Sequence, residues 1–593
     1  MEATERKPIG TECKHVIYGR AVDGSPDDIL FVKERIHYND GTVENNTRLV
    51  RNFIRSFSVT REGNRNHKQK KEWERLDKVM KVNCTQREMN RRAMRALGMG
   101  NGMLGMKQIA RSPYLYGTDI SSACLLKQKY MKAYPNLNTD STVAAFDLET
   151  AMENRGSIKT DEPILGAITF KERVHLVIRR EFFRLKGIAT DVEGEALVRA
   201  AFQKYLGDLP VTDEWREKNP GKEKLDLIEE RKLNLRVVFV DTPGQLCASC
   251  IEAAHEWKPD FLIAWNMKFD LEKTVIALEN EGYNLADIFA DPSVPPEYRF
   301  FDIRWGQSVK FTADGDRHSL ASEEQWHSVI APSSFYWIDA MAVYHRLRMA
   351  GGKQHSYKLD FILNKHLGLR KLDFSFADHI PEHDKGQWHI FMQKNYPVEY
   401  SIYNIFDDIG LELLDEKNTD VSRLLSAQCG YSEYRHFASQ TRRTWDDFHF
   451  FCEERGLIEC ATSDKMMDEL DEKTCSLDGW IATLPSHLIL EEDGVQLIEE
   501  TPGVHSLART EVADLDVTAT YPTEQIAANI SKETTTKELI SIDGIDDKDR
   551  RAIGINFSGG SNNAIEICVS LYKAPTPNQL LAAFEEELSR EAA

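Results

Sequence analysis

The sequence predicts a multidomain protein of mixed α/β and α+β class, on three observations. Its 593 residues exceed what one compact core holds, and at roughly 150 residues per unit they divide into about three to five domains. Composition is that of a folded chain, 41% hydrophobic and 29% charged, too apolar for wholesale disorder. From Ser141 onward, apolar runs of strand length alternate with helical stretches, the pattern of a buried sheet covered by helices.

Charge and targeting narrow the class further. The net charge of -20 argues against an indiscriminately basic nucleic-acid binder, though not against a local basic groove. MEATERKPIG at the start carries no apolar signal core, and no window approaches the eighteen apolar residues of a membrane span. The expectation is a cytoplasmic, unprocessed protein without membrane contact. Ten scattered cysteines are too sparse for a disulfide scaffold. The one close pair, Cys247 and Cys250, lacks a second pair at zinc spacing and reads as two reduced thiols.

Between Arg48 and Lys107 the chain turns basic. Arg61, Arg65, Lys68, Lys70 and Lys71 form one cluster, and Arg87, Arg91, Arg92 and Arg95 another with helical character. The second runs into the glycine- and methionine-rich stretch 98–107. It is either a solvated helix followed by a loop or a phosphate-facing surface.

Strands are expected over 143–150, 164–170, 174–178, 235–240 and 261–266. Helices are expected to end near Trp257 and to begin soon after Asn266, and residues 415–475 read as helical connections. Within 143–150, Asp147 and Glu149 stand two apart, so both project from one face of a strand and can together hold a divalent cation. Many such pairs are solvated in a chain with 95 acidic residues. In WNMKFD, Asn266 ends a strand while Phe269 and Asp270 open a helix. Catalytic groups gather at such junctions, and a lone Asp there also serves as a helix cap. In SIYNIFDDIGLELLDE, 401–416, Tyr403 and Asp407 are four apart on one helical face, whereas Asp408 falls on another and is expected to be solvated.

In order and context the set D-x-E, N-x-x-F-D, Y-x-x-x-D resembles the three motifs of the DnaQ-like 3′-to-5′ exonucleases. The resemblance implies a ribonuclease H-like domain in which Asp147, Glu149, Asp270 and Asp407 bind two Mg2+ ions, for which Mn2+ can substitute. Such a crowd of carboxylates would be prohibitive without cations. It further implies that Tyr403 orients the attacking water, that Glu149 lies near the terminal sugar, and that Asn266 and Phe269 meet the substrate.

Downstream, ADLDVTATYPT resembles motif A of family B DNA polymerases. That resemblance implies that Asp516 binds catalytic magnesium, that the backbone at Thr518 receives the triphosphate, and that Tyr521 lies under the incoming sugar. Ala519, Thr520 and Thr523 depart from the usual motif. RRAMRALGMGNGMLG is similar to the N-terminal region of T4-like phage polymerases. A second palm carboxylate in a D-T-D hairpin and a K-x-x-x-N-S-x-Y-G fingers helix do not occur. Asp314 with Asp316, and the run 543–551, read as loops.

The expected organisation is an N-terminal domain (1–140), an exonuclease domain (141–415), a helical connection returning to the N-terminal domain (416–474) and a partial palm (475–593). Thr576, Pro577 and Gln579 start a terminal helix whose stripe of Leu580, Leu581, Phe584 and Leu588 either docks on its own domain or meets another polypeptide. The whole resembles the N-terminal subunit of a split family B polymerase of large phages, which implies a bacterial host. The implied partners are a single-stranded 3′ end and primer-template DNA, a C-terminal polymerase subunit, a sliding clamp and other replisome proteins. The alternatives are an architectural subunit without independent activity and a stand-alone repair exonuclease with a vestigial palm.

Overall fold

The computed structural model describes residues 6–464, apart from 69, 72, 101–103, 210, 223, 312–316 and 382–383. Asp516, Thr518 and Tyr521, the 475–593 segment with its terminal helix, and the Asp314–Asp316 pair lie outside the described residues.

Residue pattern singles out no strand before Ser141, yet the chain opens with three: β1 (Pro8–Arg20), β2 (Asp28–Tyr38) and β3 (Val43–Arg51). They form an antiparallel meander in that order. Their charged residues hide the strand pattern because many are buried in pairs. Lys14 reaches Glu12 at 2.5 Å, and Arg35 pairs with Asp260, just ahead of a strand of the central sheet. A second small sheet places β4 (Arg55–Thr60) between β5 (Val79–Cys84) and a short strand at Leu115–Tyr116. Helix α1 (Met89–Ala96) follows, where the second basic cluster suggests one. Several of these cations are used internally: Arg65 donates to the carbonyls of Thr60 and Ala96 at 2.9 and 3.1 Å, and Arg87 to that of Ser25.

The centre of the molecule is a six-stranded sheet made of β6 (Val143–Thr150), β7 (Pro163–Phe170), β8 (Arg173–Arg179), β9 (Asn234–Val240), β10 (Phe261–Ala264) and β11 (Tyr336–Asp339). Its spatial order is β9-β8-β7-β6-β10-β11. Only β7 runs against its neighbours; the other pairings are parallel. Such strands are buried on both faces and read as continuous apolar runs, as in PILGAITF. The chain is thus a mixed α/β protein.

Two apolar cores flank the sheet. Ala144, Phe146 and Leu148 of β6 belong to one, with α2 (Pro243–Trp257) and α3 (Met267–Asn280). Cys247 and Cys250 are free, buried thiols within α2. Ala145 belongs to the other, with Ile402, Ile405, Phe406 and Ile409 of the long helix α4 (Pro397–Asn418). Alternation along β6 therefore turns Asp147 and Glu149 toward α4. Beyond α4, a helix over Gln440–Glu454 leads to the strand Leu457–Glu459, which pairs with Trp73–Arg75 and returns the chain to the N-terminal region. Among the described residues no helix is long and apolar enough to cross a membrane.

Candidate active site

Ligand atoms of Asp147, Glu149 and Asp407 lie within 4.8 Å of one another, so these three residues could hold a metal ion. Strand β6 supplies the first two. The ladder with β7 is regular from Ala145 to Glu149 and shifts register between Glu149 and Thr150, a local irregularity of the kind that re-aims a side chain. Helix α4 supplies the third. One turn earlier its Asn404 donates to Asp147 Oδ2 at 2.7 Å, fixing helix to strand.

Asp270 enters from the other layer. Its carboxylate does not cap its own helix but accepts the backbone N–H of Leu148 at 3.2 Å. Strand β10 has by then turned away after Ala264, so this N–H takes a side-chain acceptor in place of a ladder partner. Asp270 therefore sits behind the strand that carries Asp147 and Glu149, outside the set of three. The junction before it is strained: Asn266 has φ 152° and makes no side-chain cap, a conformation L-residues rarely adopt and one that clusters at functional sites. Asp339 secures the same junction by accepting Met267 N at 3.1 Å while capping its own helix at Ala342 N, 2.9 Å. Phe269 is 39% exposed, with Lys273 Nζ 5.6 Å from its ring centre.

Tyr403 is buried on the Asp407 face of α4, as their spacing requires. Lys371, which no local pattern marks, donates to Asp407 Oδ2 and to the Tyr403 hydroxyl, the latter at 3.1 Å. Tyr400, also unmarked, donates to Glu149 Oε2. The rings of Tyr400 and Tyr403 stack 5.8 Å apart and 4° from parallel.

Asp408 departs from expectation. Rather than being solvated it is fully buried, and neither carboxylate oxygen has a hydrogen-bond partner among the described residues. The cause is that α4 is covered nearly all round, by the sheet on one side and by the helices Asp191–Leu206, Leu359–Leu367 and Lys385–Asn395 on others. A polar side chain on such a helix does not mark its solvent face.

Electrostatics follow from this crowding. Burial first, then the charge of Asp407, pushes the Asp147 carboxyl up to about 7, against opposing help from Lys371 and Asn404. Burial and Asp147 hold Glu149 and Asp270 well above the usual range, and burial also raises Asp407 and Asp408. For Lys371, burial opposes its charge but Asp407, Tyr403 and Asp147 outweigh it, so the ammonium is held charged. The Lys371 ammonium thus faces several carboxylates, and among the described residues Oδ1 of Asp407 remains buried without a hydrogen-bond partner. An all-oxygen donor set with an unused acceptor suits a hard divalent cation such as Mg2+ or Mn2+, whose charge would reverse the upward shifts.

Thus residue spacing singles out Asp147, Glu149, Asp270, Tyr403 and Asp407, and the structure brings them to one end of the sheet, with Asn266 and Phe269 at the adjoining junction. It misses Lys371, Tyr400 and Asn404. The last two carried a legible signal, since 400, 403, 404 and 407 form one i, i+3, i+4, i+7 stripe. No family model and no curated protein sequence matches this chain.

Proposed function

We propose that this chain is a metal-dependent 3′-to-5′ exodeoxyribonuclease with a ribonuclease H-like catalytic domain, and that it forms the N-terminal, proofreading part of a split family B DNA polymerase. The approach of Asp147, Glu149 and Asp407 to within 4.8 Å, from segments some 260 residues apart in sequence, carries the nuclease reading. Sheet order and the single antiparallel strand β7 agree with the domain type. The polymerase part rests on the sequence around Asp516.

In this reading Asp147, Glu149 and Asp407 hold the cations, with Asp270 contributing from behind β6. The bound cations would supply charge neutralisation at the scissile phosphate and a water acidic enough to attack at neutral pH. The protein's own groups orient and exclude. Tyr403, its phenol fixed by Lys371 at 3.1 Å, presents a hydroxyl beside Asp407 that positions the attacking water. Lys371 keeps Asp407 in place and brings positive charge to a site that must receive a phosphodiester. Phe269, partly exposed one residue before Asp270, offers an apolar face to a base or sugar of the unpaired 3′ end.

The test is direct. Purified protein with Mg2+ or Mn2+ should shorten 5′-labelled single-stranded DNA from its 3′ end, and Asp147→Ala should abolish this. Degradation that persists in chelator, or that Asp147→Ala leaves unchanged, overturns the assignment. DNA synthesis should appear only when a second chain supplies fingers and the remaining palm carboxylate.

A further inference from the structure

The end of strand β6 is gripped by side chains that the proposed reaction does not itself require. Tyr400 is fully buried, and its hydroxyl donates to Glu149 Oε2. The same oxygen lies 2.7 Å from His389 Nδ1 and 3.2 Å from Gln393 Nε2. A phenol has one proton and two lone pairs. With the proton committed to Glu149, both nitrogens must donate, which assigns His389 as the Nδ1–H tautomer. The hydroxyl is then saturated and has one direction left for its proton.

Gln393 does more than complete this set. Its Nε2 also donates to the carbonyl of Thr150 at 2.8 Å, and its Oε1 accepts from Met152 N at 3.0 Å. One amide therefore spans the backbone on both sides of Ala151, just where the β6–β7 ladder loses register after Glu149. Arg155 in turn donates to the Gln393 carbonyl at 2.9 Å. The irregularity just beyond Glu149 is thus held in shape by Lys385–Asn395, a helix that contributes no carboxylate to the site.

The geometry points to Tyr400, backed by Gln393 and His389, as the positioning residue that presets Glu149 for cation binding. This rests on the metal-site reading above and deepens it. Tyr400 does not touch the reacting atoms; it removes the freedom of a flexible carboxylate so that one oxygen is held and the other is available to the ion. Outer partners of this kind typically change metal affinity by about 10- to 100-fold when removed.

Tyr400→Phe keeps the ring, and with it the stacking on Tyr403 and the tilted contact with Trp388, while deleting the hydroxyl. Titration calorimetry with Mn2+ alone, without DNA, is the readout. The variant should bind about 10- to 100-fold more weakly than the wild type, with the Mn2+ half-saturation of nuclease activity displaced equally and the KM for single-stranded DNA little changed. An unchanged Mn2+ affinity in folded Tyr400→Phe overturns the proposal and leaves the metal-site reading intact. Absence of Mn2+ binding by the wild type overturns that reading, and the proposal with it. Should Tyr400→Phe fail to fold, His389→Leu carries the test at a position whose side chain is 24% exposed. It deletes the Nδ1 donor, and an unchanged Mn2+ affinity there likewise overturns the proposal.

Discussion

Two regions of this molecule bury charge, and they do so in opposite ways. Where the N-terminal meander meets the central sheet, each buried anion meets a partner. Arg35 pairs with Asp260, which also accepts Thr142 N and Oγ1 at 2.8 and 3.0 Å; Glu12 takes Lys14 at 2.5 Å and Thr139 Oγ1 at 2.6 Å. At the end of β6 and α4, Asp147, Glu149 and Asp407 share the ammonium of Lys371, and among the described residues three carboxylate oxygens of Asp407 and Asp408 are unpartnered. A sequence able to neutralise buried charge in one place has left it unneutralised in another. The first region is held by its own ion pairs, and the second has a donor set that a bound cation would complete.

The largest expected effect breaks the second region. Asp407→Ala should lower metal-dependent nuclease activity by about a hundred- to a thousand-fold, the scale on which single stabilising groups act, and should lower the melting temperature modestly, because Lys371 loses its paired carboxylate while Asp147 still faces it. An Asp407→Ala protein that keeps its nuclease rate would erase the contrast between the regions. Next, Arg35→Met should destabilise the protein by about 3–5 kcal/mol in urea denaturation, because it strands the 1%-exposed Asp260. Residual folded protein should keep its nuclease rate.

Cation binding sharpens the comparison more gently. At a hundred times its dissociation constant, Mn2+ should stabilise the wild type by about 2.7 kcal/mol and Asp407→Ala by much less, with Arg35→Met showing the full wild-type increment. Smallest is the pH effect without metal. The folded pKa of Asp147 is raised to about 7 from an unfolded value near 4, so its favourable contribution is present at low pH and is lost as pH rises through 7. Asp147→Asn does not titrate. Its melting temperature should match the wild type near pH 3, below the unfolded pKa, and exceed it by about a few degrees at pH 8, and Mn2+ should reverse that order.

Sequence legibility followed the same division. Strands β6 to β10 and helices α2 to α4 stand out because apolar runs and helical stripes are local signals. Asp147, Glu149, Tyr403 and Asp407 are legible because period-two and period-four spacings place them without knowledge of the fold. The meander β1–β3 is not, since residues such as Lys14, Lys33 and Arg35 are buried in it and disguise strands as charged surface. Asp408 misleads for the converse reason: its helix has almost no solvent face. Lys371 and Gln393 lie far along the chain from the carboxylate or backbone they hold, with 241 residues between Gln393 and Met152, and only folding brings them together.

The chain enters and leaves the region of the central sheet at almost one point. Ser141 N donates to the carbonyl of Ser422 at 2.7 Å, and Asp140 meets Arg423 at 2.8 Å. Neighbouring ends make a domain insertable, because the host need not stretch to accommodate its guest. Evolution could therefore acquire, discard or exchange the roughly 280 residues between those positions as a single cassette, leaving a short splice where the two serines now touch.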